Sequence, residues 1–330
     1  MTQFFADQID QLDLAIDQLA VRDRNFDRFA LMLIDNVVEL VLHEHAKQKL
    51  LLARPFEFNK VPTSKWKAAV AATGQSFDAK VRYARETAMI PGPMADSIQY
   101  LHSFRNSAYH QGSRHEGILH SLAVFYFRSA CSVLGAYQPM FYGTHSKDEI
   151  SHRAVKYLGK PDLFGLKDAF KRACERLIEV AGALDGNLVE DLQVDMLMTI
   201  EQTDERLDFI ATNAPNAPTR AEVVRDCQSW PLAWTEEGKA FARANGCKAS
   251  NMKEYVEWLG HNYHWSVNVD PVASWKRRHT SLKKETDLNV ALKKYCDFMK
   301  QTETFREALG EACMQLDGHI QQQIDEYRGK

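Results

Sequence analysis

The residues best suited to chemistry in this chain lie in one run, Arg105-Asn106-Ser107-Ala108-Tyr109-His110. At helical spacing His102, Asn106 and His110 stack in one column, and Arg105 and Tyr109 form the column beside it. A guanidinium fork holds a phosphate through paired N–H donors. An imidazole titrates near neutrality and moves protons there. An amide next to both can orient the ring or a substrate hydroxyl. These are the parts needed to cleave RNA without a metal: a base takes the 2′-OH proton, the oxygen attacks the adjacent phosphorus, and a cation steadies the developing charge. On one regular helix, however, residues five apart point about 140° away from each other. A single copy therefore converges poorly on one phosphate unless the helix kinks after Tyr109; a second copy related by two-fold symmetry would supply the missing groups. The same residues also fit an ordinary helix C-terminus, where Arg and His complement the dipole and Gly112 forms the cap.

The run Arg-Asn-x-x-x-His resembles the signature of the HEPN superfamily, whose nucleases carry Arg-polar-x(3–5)-His in a helical bundle. The resemblance implies Arg105 as phosphate contact, His110 as acid/base and Asn106 as orienter; the neighbouring His102 and Tyr109, and Glu39 of the second helix, are read beside them as auxiliary groups. It further implies a homodimer with a composite, metal-independent ribonuclease site and no cofactor. RNA would be the substrate, and a role in toxin–antitoxin or anti-phage defence would bring a cognate antitoxin or defence partner. Where some toxin members carry a Tyr two residues after the His, this chain has Gly112. A looser match, Arg114 followed by His120, lies a few residues on. The alternative from another class is a non-catalytic helical scaffold or neutralising partner built on the same bundle.

Other groupings carry less. Asp35, Glu39 and His43 form a polar column on the second helix, which reads either as the wall of the same cleft or as a solvated face. His102, His110, His115 and His120 crowd one region without a Cys beside them, and His261-Asn-Tyr-His264 lacks an accompanying acid motif, so no metal site is expected. Lys276, Arg277 and Arg278, with Lys283 and Lys284 after them and Trp275 before, form the densest basic patch. That patch suits a nucleic-acid backbone with a stacked base, or equally a solvated helix. Phosphate loops, nucleophile elbows and dinucleotide fingerprints are missing.

The elements that must position the run are helical throughout, an all-α fold. The spacing predicts a first helix from about Phe5 to Val21 with Asp10, Asp13 and Asp17 on its wet side. A second follows, with Phe26, Phe29, Ala30, Leu33, Val37, Leu40 and Val41 as its apolar face. Ser64–Thr87 reads as one less regular helix. Ile90-Pro-Gly-Pro93 breaks the chain before a helix from Met94 to His110 with Met94, Ile98, Leu101, Phe104 and Ala108 facing inward. Ile118–Tyr137 is apolar nearly all round, as the central helix of a bundle would be.

Residues 1–145 thus read as an up-and-down bundle, HEPN-like by the resemblance above, and 146–330 as a further helical C-terminal region with a linker near 211–219. Periodicity is weakest between Trp230 and Trp265. It is cleanest in the last helix, through Leu288, Leu292, Tyr295, Met299, Phe305, Leu309, Cys313, Leu316, Ile320 and Ile324. The 330 residues are 45% hydrophobic and 26% charged with a net charge of -3, which is globular composition without a global field for polyanions. Six scattered cysteines without a Cys-x-x-Cys pair suit a reducing compartment. The acidic start MTQFFADQIDQLD lacks a leader pattern, and no apolar run spans a membrane. A cytoplasmic protein is the expectation.

Overall fold

The computed structural model describes residues 2–53, 63–110, 116–140, 143, 148–159, 165–184 and 186–329, and within these the side chains of 53, 63, 108–110 and 116 are not described. Among the described residues there are fourteen α-helices, a single 3-10 turn and no strand. The chain forms two compact units. One comprises Met1–Leu192 with Asp287–Lys293, the other Gln193–Thr286 with Lys294–Lys330.

In the first unit α1 (Thr2–Ala20), α2 (Arg24–Ala53) and α6 (Leu119–Ala136) make the centre. Thirteen residues of α6 are buried, because apolar side chains occupy every face and the helix can be covered all round. Against α2 lie α3 (Thr63–Ala72), α4 (Phe77–Glu86) and α5 (Gly92–His110). α7 (His152–Leu158) packs on α1, and α8 (Leu166–Gly182) packs on α1 and α6. The compact unit therefore reaches Leu192, beyond the bundle expected to end at 145.

Three local expectations change. The inward face of α2 is Ala30, Leu31, Ile34, Val37, Val38, Val41 and Leu42, all at 0% exposure, whereas Phe26, Phe29 and Leu40 stay exposed. The helix is rolled from the expected face because neighbours cover it on both sides of Leu31 and Val38. On α1, Asp13 is buried, not wet. It accepts hydrogen bonds from Arg153 Nη1 (2.8 Å), Lys156 Nζ (2.9 Å) and the Tyr157 hydroxyl, which tie α7 to α1. Ser64–Thr87 is two helices, since Thr73-Gly74 ends α3 and Ser76 starts α4 by accepting from Ala79 N at 3.2 Å.

The second unit holds α10 (Arg220–Ala233), α11 (Glu236–Ala244), α12 (Met252–Asn262), α13 (Val272–Lys283) and most of α9 (Leu188–Asn213) and α14 (Leu288–Tyr327). The stretch expected to be a linker is the turn after α9 and the cap of α10, where Thr219 and Glu222 form a capping box. Ala233, Val256 and Leu259 form one core with Leu232, Phe241, Tyr255 and Trp258 packed against it. The clean stripe of α14 is buried at Leu292, Tyr295, Phe305 and Leu309, with Phe298 in place of the half-buried Met299, while Ile324 is exposed.

Candidate functional site

α5 carries the run, and its start is fixed by local chemistry. Pro91 and Pro93 flank Gly92 at the first turn, where a helix has no internal partner for its N–H groups. Ile98 and Leu101 are buried against the bundle, so the side chains one turn on are held at its edge.

Asp35 of α2 is the hub. It is fully buried, with three polar groups aimed at it from two other helices. His102 Nδ1 lies 2.9 Å from Oδ1 and 3.1 Å from Oδ2. The Tyr126 hydroxyl of α6 donates to Oδ1 at 2.7 Å. Arg105 Nε sits 3.2 Å from Oδ2, an ion-pair contact off hydrogen-bond alignment. Burial first, and then the negative charge of Asp35, pushes the Tyr126 phenol well above its ordinary pKa, so the hydroxyl stays protonated and donates.

Arg105 also donates from Nη1 to Asn106 Oδ1 at 2.8 Å. Its side chain keeps 31% exposure, and Nη2 has no hydrogen-bond partner among the described residues. The His102 ring is stacked flat on Phe77 of α4, with centroids 3.8 Å apart and planes within 6°. Stacking and the Asp35 contact together leave that ring one orientation. Four helices thus fix one imidazole and one guanidinium side by side.

Asp35 therefore does not lie on a solvated face. The signal was in the sequence: Leu31, Ile34, Val38 and Leu42 bracket it on one helical face, and a carboxylate in that setting needs donors from neighbouring helices. Tyr126 and Phe77, which sequence reasoning did not single out for the site, complete the arrangement. Glu39, one turn further along α2, pairs with the buried Lys80 of α4 at 3.0 Å. His43 is half-buried two turns from Asp35.

The backbone of Tyr109 and His110 belongs to α5, but their side chains lie outside the described residues, as do Gly112, Arg114 and His115. His120 is held by Asp27 of α2 at 2.8 Å, so His102 and His120 each face a carboxylate of their own. Among the described residues no group of three or more His, Cys, Asp and Glu side chains could hold a metal ion, and no helix is long and apolar enough to cross a membrane.

The basic patch of the second unit lies on α13. Trp275 is buried and meets Phe298 and Phe305 edge-on, so it offers no face to a nucleobase. Arg278 packs over the Phe298 ring at 5.1 Å, and Lys276 pairs with Asp204 at 3.1 Å. Arg277, Lys283 and Lys284 are exposed.

Compared with models of known families, with curated proteins and with solved structures, the chain matches none of them.

Proposed function

We propose that this protein is a metal-independent endoribonuclease of HEPN type, working as a homodimer in toxin–antitoxin or anti-phage defence. The observation that supports it most is the pairing of Arg105 with Asn106 on the rim of α5. The guanidinium is steadied by Asp35 while Nη2 is left without a protein partner among the described residues. A phosphate oxygen is the natural acceptor for that donor. His110, five residues on, would act as the acid/base, and a second copy would complete the site.

The test is RNA cleavage by purified protein in EDTA. Wild type cleaves, and Arg105→Ala and His110→Ala each lower the rate by about 100-fold or more. Cleavage by both variants at the wild-type rate removes the site assignment.

A second reading, a non-catalytic scaffold, draws on the same Asp35 cluster, because Tyr126, His102 and Arg105 around one buried carboxylate also serve simply to lock three helices together. Induced expression separates the two. A nuclease slows host growth and its Ala variants do not, whereas a scaffold leaves growth and cellular RNA unchanged.

A further inference from the structure

The nuclease reading leaves His102 an auxiliary group with no step assigned to it. Asp35 and His102 form a carboxylate–imidazole pair, with contacts of 2.9 and 3.1 Å through Nδ1. A carboxylate only accepts, so Nδ1 carries the hydrogen and Nε2 presents the lone pair of the neutral ring. Nε2 has no hydrogen-bond partner among the described residues, and the side chain keeps 20% exposure. The free Nε2 edge, beside a guanidinium, is what a purely structural pair does not need. The ring is fixed by the carboxylate, held flat by Phe77 and set one helical turn from Arg105.

Resting on the ribonuclease reading above, we infer that His102, oriented by Asp35, is a second proton-transfer group of the site, acting with His110 of a second copy. Within one copy His102 and His110 are eight residues apart on α5, a rise of roughly 12 Å that one phosphodiester does not span. Their column is nevertheless symmetric about Asn106, four residues from each. A two-fold axis near Asn106 with antiparallel α5 helices sets His102 of either copy beside His110 of the other, with both Arg105 residues close to the axis. His102 Nε2 then takes the proton of the ribose 2′-OH as the 2′-O–P bond forms. The P–O5′ bond breaks, and the departing O5′ takes its proton from the His110 imidazolium. The products are a cyclic phosphate and a free 5′-hydroxyl, with all protons accounted for.

Asparagine is the informative replacement at 102, because its amide N–H donates to Asp35 much as Nδ1 does, yet nothing stands in for Nε2. His102→Asn lowers kcat by about 100-fold or more and removes one limb of the pH–rate profile. Asp35→Asn, which keeps the shape and drops the charge, lowers kcat by at least about tenfold with little change in KM. Far-UV circular dichroism establishes that each variant is folded before its rate is read.

The decisive measurement mixes His102→Asn with His110→Ala after co-refolding. Half of the dimers are mixed and each of these holds one intact pair, so activity returns to about a quarter of wild type. Wild-type activity in His102→Asn overturns the role of His102 and leaves the nuclease reading standing. Two inactive variants that stay inactive when mixed overturn the pairing between copies. No cleavage by wild type removes the nuclease reading and this inference together.

Discussion

Two buried polar residues of α2 show how one helix gathers partners from its neighbours. Asp35 gathers donors from α5 and α6 and so fixes His102 and Arg105. Three turns on, His45 bonds through Nε2 to the Thr87 hydroxyl at 2.9 Å. Burial, with Lys49 nearby, pushes its pKa down to about 4. Unfolding returns the ring to its ordinary value near 6.5, so between those values the unfolded chain binds the extra proton. The contribution of a neutral His45 is complete above pH 6.5 and is lost as the pH falls toward 4. Asp13 adds to acid sensitivity lower on the scale. Burial alone would raise its pKa, but hydrogen bonds from Tyr157, Lys156 and Arg153 outweigh that and hold it below the ordinary value. Denaturant melts from pH 7 down to 4 are expected to lose about 1–3 kcal/mol through His45, and His45→Gln flattens that slope. An unchanged slope in the variant assigns the acid sensitivity elsewhere.

Elements are delimited here by caps and close approaches that few residues satisfy. Ser76, Ser151, Thr219, Thr235 and Asn251 each accept from a backbone N–H of the first turn of their helix. Between α10 and α11 the chain turns tightly enough that a Cβ on Gly238 would come within 2.2 Å of the Leu232 carbonyl oxygen. That contact is with backbone, which cannot swing aside as a side chain could. Gly238→Ala is therefore expected to cost about 1–3 kcal/mol, read as a lower melting temperature, while α11 itself gains from alanine's better helix propensity. A variant as stable as wild type would mean that the turn opens at little cost.

For the molecule as a whole, the two compact units decide where the chain can be cut. α7 and α8 lie beyond the bundle boundary suggested at 145, yet they cover α1 and α6. Phe170 of α8 meets Phe5 with ring centroids 4.2 Å apart, and Asp13 takes three donors from α7. A fragment ending at 145 exposes that apolar face to water and removes all three donors of Asp13. We expect fragment 1–145 to lack a cooperative thermal transition by circular dichroism. A cooperative melt at the full-length temperature would show that the shorter bundle is self-sufficient.

Periodicity alone determined that this chain is helical, because a 3.6-residue repeat of apolar side chains is written locally and the long helices display it. The break at Pro91-Gly92-Pro93 and the central standing of α6 followed for the same reason. The column through His102 and Asn106 was legible as well, since spacing on a helix is a matter of register. What a linear pattern cannot carry is which side of a helix its neighbours cover. α2 has apolar residues on more than one side, and only packing by α1, α4, α5 and α6 chose Leu31, Ile34 and Val38 over Phe26, Phe29 and Leu40. That choice drew Asp35 inward and, with it, His102, Arg105 and Tyr126, residues separated by up to 91 positions. A buried charge must find its partners in space, so tertiary structure alone decided which imidazole is held and which tryptophan is hidden.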